Sequence, residues 1–299
     1  MQSKRALERT GDVRALLLEQ HLAERACQPL ATVDGVRFHT VSILNVRPIP
    51  AFKDNYIWLL ARPDEPRAVA VVDPGAADPV LRELAAGDLR LDAILLTHHH
   101  ADHVGGTAAL VAATGAAVFG PARERMPVEV QRLAGGDRAR LPALDLEFEI
   151  IDVPGHTAGH IAYAGHDALF CGDTLFSAGC GRLFEGTATQ MLASLEALAE
   201  LPDSTRMFCG HEYTVANLRF AMTVEPANAE IVDYARRAGA QRAAGVPTLP
   251  STIGLEKRVN PFLRCRLDNI RTSAASHARR ALPTPIAVFA EIRSWKDNF

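Results

Sequence analysis

Residues 97 to 106 read Thr-His-His-His-Ala-Asp-His-Val-Gly-Gly, so His98, His100, Asp102 and His103 place metal-type ligands within a single short segment. The segment follows the apolar run Ala93-Ile94-Leu95-Leu96 and precedes a helical pattern over Ala108 to Ala113, which predicts a strand end feeding a loop. On an extended stretch, side chains at i and i+2 share a face. His98 and His100 can therefore serve one ion, with Asp102 and His103 turned toward a second position. Consecutive histidines alone would equally suit a surface tract with adventitious metal affinity. The aspartate and the segments downstream favour a built site.

Three later segments share one plan, in which a short apolar strand delivers a polar residue into a loop. Leu146, Phe148 and Ile150 alternate with Glu147 and Glu149, the pattern breaks at Pro154-Gly155, and His156 follows. Ala168-Leu169-Phe170-Cys171 leads into Gly172-Asp173-Thr174, and Met207-Phe208-Cys209 into Gly210-His211-Glu212-Tyr213. A glycine before each polar residue permits the tight backbone a ligand loop needs. The combined donors are imidazole nitrogens and carboxylate oxygens, a set that suits zinc, iron or manganese.

The elements that must position these donors alternate between strand and helix from about Ile43 to Thr214, with helical stretches at Pro79 to Ala86 and Gln190 to Leu201. This predicts an α/β fold with a sheet-on-sheet core and helices outside. Beyond Thr214, Val215 to Met222 and Asn228 to Ala243 read as helices, and strand-like alternation returns only at Ile286 to Phe289. At 299 residues and 48% hydrophobic content the chain can bury a sizeable core, as one large and one smaller domain. No apolar stretch approaches the roughly 18 residues of a membrane span. The cysteines show no framework spacing and read as reduced thiols, Cys171 and Cys209 in apolar strands and Cys180 in a glycine-rich turn. A cytoplasmic, monomeric enzyme without a membrane partner is the expectation.

With these motifs in hand, the chain resembles the metallo-β-lactamase superfamily and, within it, the hydroxyacylglutathione hydrolases of the glyoxalase II type. The resemblance runs from about Ile43 to Phe299. It is carried by Pro50-Ala51-Phe52 with Asp54-Asn55-Tyr56, Val72-Asp73-Pro74-Gly75, the histidine loop, Pro154 to His160, Gly172 to Arg182, and Gly210 to Thr214. Gly179-Cys180-Gly181 with His211-Glu212-Tyr213 and a long C-terminal extension points to the glyoxalase branch. It implies a four-layer αββα sandwich with a mainly helical C-terminal domain. The expected division is an N-terminal extension over 1–40, a catalytic domain over 41–215 and a helical substrate-binding domain over 216–299.

The resemblance further implies that His98, His100 and His156 hold one divalent ion, that Asp102, His103 and His211 hold another, and that Asp173 bridges them. Zinc is the first expectation, with iron or manganese as alternatives. Two such ions, the two aspartates and one hydroxide leave a net charge of about +1, which favours an anionic substrate. A water shared by two ions ionises near neutral pH and can attack a thioester carbonyl, with one ion stabilising the oxyanion. Asp102 would also orient that nucleophile. The implied reaction is hydrolysis of S-(2-hydroxyacyl)glutathiones, S-lactoylglutathione giving glutathione and D-lactate, the second step of methylglyoxal detoxification.

In family members a glycine-rich loop, the tyrosine after the last histidine ligand and a basic pair near the C-terminus hold the glutathione. The matching positions are Arg182, Phe184, Tyr213, Arg293 and Lys296, with His211 beside the tyrosine. Phe184 departs from members with tyrosine there and cannot donate a hydrogen bond. From Ala216 onward the net charge is +6 against −9 for the rest, which together give the −3 of the whole chain. The basic region has few interleaved aromatics and no nucleic-acid motif, so a small anionic thioester is the expected partner and a nuclease is disfavoured. A persulfide dioxygenase would use one iron and lack the long basic C-terminal region.

Other histidines are expected to play lesser parts. His99 should point away from the ions, His160 should brace a ligand, and His21, His39, His166 and His277 should be ordinary. Asp73 is either a turn former or a brace. Residues 1–40 carry Glu8, Asp12 and Glu19, which argues against a targeting leader. They read as a loosely ordered tail, and a start near Val41 is an alternative.

Overall fold

A computed structural model describes residues 44–299. His21, His39 and the readings for residues 1–40 lie outside the described residues.

The first sheet takes strands in chain order: β1 (Asn45–Ala51), β2 (Asn55–Arg62), β3 (Glu65–Val72), β4 (Arg90–Leu95), β5 (Ala117–Pro121) and β6 (Gln131–Leu133). Its first three strands are antiparallel neighbours and the rest run parallel. The second sheet is built from β7 (Arg138–Leu141), β8 (Leu146–Asp152), β9 (Ile161–Gly165) and β10 (Ala168–Gly172). It is completed by β13 (Arg206–Cys209) and β14 (Ser251–Thr252), while β11 (Leu175–Phe176) and β12 (Gly179–Cys180) form a small ribbon.

Both faces of the first sheet are apolar because both are covered. Trp58, Leu60, Ala70, Val72 and Leu95 share one cluster with Phe148, Ile150, Tyr163 and Phe170 of the second sheet. Their neighbours Ile57, Leu59, Val69, Val71 and Ile94 pack instead with Val80 and Leu84 of the helix Ala77–Gly87 and Leu110 of the helix Thr107–Thr114. The period-2 alternation thus separates an inter-sheet core from a sheet-helix core. On the far side, Met191, Leu195 and Leu198 of the helix Ala188–Ala199, with Val288 and Ile292, close the second sheet. The layers are helix, sheet, sheet and helix, the αββα sandwich expected from the resemblance, followed by a C-terminal helical region.

That region holds helices Thr214–Val224, Ala229–Ala243, Ile253–Val259, Asp268–Ala278 and Pro285–Asp297. The strand-like reading of Ile286 to Phe289 is corrected here, because these residues lie inside the last helix. Thr284 caps it by accepting from the Ala287 N–H and Pro285 occupies its first turn. Those start signals outweigh a short alternating pattern. Among the described residues no helix is long and apolar enough to cross a membrane.

Candidate active site

The end of β4 and a single helical turn aim the first loop in two directions. His98 and His100 follow the strand, and His100 keeps an extended backbone (φ −61°, ψ 143°). The chain then turns into the helix Ala101–Val104, where the sequence pattern predicts only a loop. That turn swings Asp102 and His103 away from the strand direction. His156 follows β8, Asp173 follows β10 and His211 follows β13, so each of these three donors sits just past a strand end. Gly172, at φ +46°, makes one such exit possible, since a Cβ there would lie 2.3 Å from Thr97 Oγ1.

The geometry separates the donors into two groups. His100 Nδ1 lies 3.2 Å from His98 Nε2 and 3.0 Å from His156 Nε2. Asp102 Oδ2 lies 3.6 Å from His103 Nε2 and 3.4 Å from His211 Nε2. Asp173 stands between them, Oδ2 at 3.5 Å from His156 Nε2 and 3.3 Å from His211 Nε2, and Oδ1 at 3.4 Å from His103 Nε2. Each group is compact enough to hold an ion.

The outward nitrogens reveal why the inward ones are available. His156 donates from Nδ1 to the Arg182 carbonyl at 2.9 Å, which leaves Nε2 with its lone pair inward when the ring is neutral. Thr97 gives its hydroxyl proton to Asp73 Oδ2 (2.7 Å), so at 3.0 Å it accepts from His98 Nδ1. His103 Nδ1 faces Asp73 Oδ2 at 3.1 Å and His211 Nδ1 faces Asp54 Oδ1 at 2.9 Å. Asn55 donates to Asp102 Oδ2 at 3.0 Å. Oxygen partners behind histidine ligands fix ring orientation and tautomer. Asp73 is therefore a brace, tied also to the Thr97 N–H at 2.8 Å.

Electrostatics differ between the groups. Burial holds His98, His100 and His156 below their ordinary values. Burial pulls His103 and His211 down as well, but carboxylates outweigh it: Asp173 and Asp73 lift His103 well above its ordinary value, and Asp102 with Asp173 lifts His211 to about 10. The His211 ring in turn holds Asp102 far below the usual carboxylate range. Burial would raise Asp173, yet His103 and His211 keep it well below that range. The donor chemistry fits a pair of cations, and one observation goes further. His103 Nε2 and Asp173 Oδ1 are buried without hydrogen-bond partners. Unpaired buried polar atoms are costly, and a cation between them would satisfy both.

A cavity of about 600 Å³ opens onto the donors. Its lining joins His100, Asp102, His156, Asp173 and His211 to Arg182, Phe184, Tyr213, Arg293 and Lys296, so all of the expected pocket residues come together. They are not equivalent. Tyr213 stacks on His211 with centroids 4.7 Å apart, and Phe184 is 61% exposed at the mouth. Arg182 is exposed, with Asp297 at 3.5 Å. Arg293 is buried, donating to the Cys180 carbonyl at 2.8 Å and Asp297 at 3.0 Å. Lys296 donates to the Ala216 carbonyl at 3.2 Å, and burial pushes its ammonium down to about 8.

The other histidines follow suit. His160 stacks on His98 at 4.6 Å, accepts from the Asp173 N–H at 3.2 Å and donates to the Ile161 carbonyl at 3.1 Å, a bracing role. His99 points to Glu124 and Glu185. His277 pairs with Glu291 at 2.8 Å. Sequence reasoning did not single out Glu124, or give Asp54 and Asn55 roles of their own. Asp54 and Asn55 stood in a motif that carried the resemblance, which was the available signal. The described cysteines are free and buried, and burial raises the Cys180 thiol to about 11.

Comparison with known proteins follows the same division. Residues 53–211 match the metallo-beta-lactamase superfamily, the class that the fold and the donor set define. Residues 212–299 match the hydroxyacylglutathione hydrolase C-terminus. A hydroxyacylglutathione hydrolase of Nitrosomonas eutropha is 49% identical over 257 residues, 86% of this chain and 100% of its own. One of Albidiferax ferrireducens is 55% identical over 257 residues, 84% of this chain and 98% of its own. Among solved structures, ETHE1 from Myxococcus xanthus shares 26% identity at a TM-score of 0.57, over 85% of this chain and 98% of that one. TTHA1623 in a di-iron-bound form shares 28% at 0.52, over 73% of this chain and 100% of its own. The chain belongs to the hydroxyacylglutathione hydrolase family of the metallo-beta-lactamase superfamily.

Proposed function

We infer that the chain is a thioester hydrolase that cleaves S-(2-hydroxyacyl)glutathiones, S-lactoylglutathione foremost, in the cytoplasm. The observation that carries this reading is the shared cavity, in which a two-group donor centre and a wall of aromatic and basic side chains face the same space. The relatives named hydroxyacylglutathione hydrolase support the substrate class.

In this reading His98, His100 and His156 hold one divalent ion, Asp102, His103 and His211 the other, and Asp173 both. Zinc is the proposed metal on the strength of the nitrogen-rich donor set. When bound, such ions supply Lewis acidity and a water activated near neutral pH. The chain's own residues set the stage for it. Asn55 donates to Asp102 Oδ2, the oxygen that also faces His103 and His211, and so fixes the carboxylate that would orient the attacking water. Asp54 and Asp73 fix the rings of His211 and His103. The stacked Tyr213 and His211 line the cavity beside the donors, where they would help position a bound thioester.

Residues 216–299 are proposed as the substrate-binding region. Lys296 and Arg182 meet peptide carboxylates, while Arg293 holds the Cys180 carbonyl of β12 at the cavity wall. The leaving thiolate departs without a dedicated acid. The test is to measure glutathione release from S-lactoylglutathione by protein carrying two zinc ions and by the same protein after chelation. Two bound ions without cleavage would overturn the reading.

A further inference from the structure

We propose that Glu124 is a positioning residue that locks the two loops carrying His98, His100 and His156 into one unit. Glu124 lies in the loop after β5, remote in sequence from both, and is only 7% exposed. Its Oε1 accepts from the Thr157 hydroxyl and from the Gly159 N–H at 3.1 Å. Its Oε2 faces His99 Nδ1 at 2.9 Å. One carboxylate therefore ties the residue between His98 and His100 to the residue after His156.

The contact explains a pattern in the sequence. In Gly155-His156-Thr157-Ala158-Gly159-His160 the threonine supplies a hydroxyl to Glu124, and a Cβ at position 159 would sit 2.6 Å from Glu124 Cγ. A side chain at 159 would displace the carboxylate that its own backbone binds. Glu185 completes the clasp, accepting from the Ala158 N–H at 2.8 Å and lying 3.4 Å from His99 Nε2.

His99, Glu124 and Glu185 are close enough to suggest a further ion. The arrangement argues against one. Glu124 meets the Nδ1 edge of the ring and Glu185 the Nε2 edge, so the carboxylates flank the imidazole rather than converge with one nitrogen on a common point. The group is a hydrogen-bonded clasp. Its effect falls on the neighbouring donors: His156 must present Nε2 3.0 Å from His100 Nδ1, a separation set by two loops with no covalent link nearby. Partners behind metal ligands typically change metal affinity by about 10- to 100-fold.

This inference rests on assigning His98, His100 and His156 to one ion. The experiment titrates zinc alone into stripped protein against a chromophoric chelator and records melting of the metal-free protein. Glu124→Ala is expected to weaken one of the two binding steps by about 10- to 100-fold and leave the other near wild type. Glu124→Gln, which keeps an acceptor oxygen for Thr157 and Gly159, should restore most of that loss. Thr157→Val should weaken the same step, Thr157→Ser should not, and Glu124→Ala with Thr157→Val should cost less than the sum. Should Glu124→Ala fail to fold, the Thr157 pair carries the test. Unchanged zinc binding in both Glu124→Ala and Thr157→Val would overturn the proposal. So would equal weakening of both steps that tracks a fall in metal-free melting temperature. Wild-type protein that binds two zinc ions and cleaves the thioester upholds the functional reading whichever way the variants fall.

Discussion

Ligand loops and pocket wall face the same cavity but are prepared differently. Behind His98, His103, His156 and His211 stands an oxygen partner within 3.1 Å, supplied by Thr97, Asp73, Arg182 and Asp54. The wall has no such uniformity: Arg293 is buried and committed to Cys180 and Asp297, Lys296 holds one carbonyl, and Arg182 remains exposed. Strand ends in a sandwich give fixed exits for rings that must be aimed to within a fraction of an ångström. The loop after β12 contributes the exposed Arg182 and the last helix contributes Lys296, long side chains suited to a flexible peptide. The centre should therefore control the chemical step and the wall should control binding, and the variants below set these roles against each other.

The largest effect is expected at the position that serves both ion groups. Asp173→Ala removes a carboxylate in contact with His103, His156 and His211. It should reduce bound metal below two per chain and lower kcat/KM by about a thousandfold or more, about 4 kcal/mol. Metal analysis with steady-state kinetics checks it. Full two-ion occupancy in the variant would show that the centre does not depend on the bridge.

That asymmetry also decides what the sequence revealed. The candidate donors were legible because four crowd into the short segment after β4, while His156, Asp173 and His211 each follow a glycine beyond an apolar strand. Their supports were not, since they act across the fold: Asp54 reaches His211 over 157 positions and Glu124 reaches Thr157 over 33. The sandwich could be read because both faces of the first sheet are covered and strand and helix patterns alternate. Ile286 to Phe289 misled because four residues cannot separate a period of 2 from one of 3.6, and Thr284 with Pro285 settles the matter locally. Burial of Arg293 depends on three-dimensional packing over Phe262, at 5.0 Å, which no local pattern encodes.

A smaller effect is expected at the wall. Lys296→Ala should raise KM for S-lactoylglutathione and lower kcat/KM by about 1 to 3 kcal/mol, with kcat and metal content unchanged. A small thioester lacking the glutathione peptide should be hydrolysed as by wild type, and the penalty should shrink at high salt. Equal losses on both substrates would move Lys296 from the wall to the support of the fold.

The same side chain gives a pH test of lesser amplitude. Burial and the nearby Arg293 lower the Lys296 ammonium to about 8. A lysine is cationic below its pKa and neutral above it. Its attraction for a carboxylate is thus present below about pH 8 and lost as pH rises through that value. KM for the glutathione thioester should climb across this window in wild type and stay flatter in Lys296→Ala. A parallel rise in both proteins would place the titrating group elsewhere.

The smallest effect is expected from removing residues 1–40. The matches to relatives from Nitrosomonas eutropha and Albidiferax ferrireducens cover 100% and 98% of those chains with only 86% and 84% of this one. Every donor and every pocket residue named above lies beyond Val41, and the described residues 44–299 fall within one compact unit. Protein beginning at Val41 should therefore fold, bind two ions and keep kcat/KM within about tenfold of the full chain, a difference under about 1.4 kcal/mol. The manner of any larger loss is informative. A rise in KM alone, on the glutathione substrate but not on the small thioester, would add the extension to the pocket wall. A fall in kcat on both substrates together with lost metal would tie it to the donor centre, and the division of labour between ligand loops and wall would then have to include a third contributor.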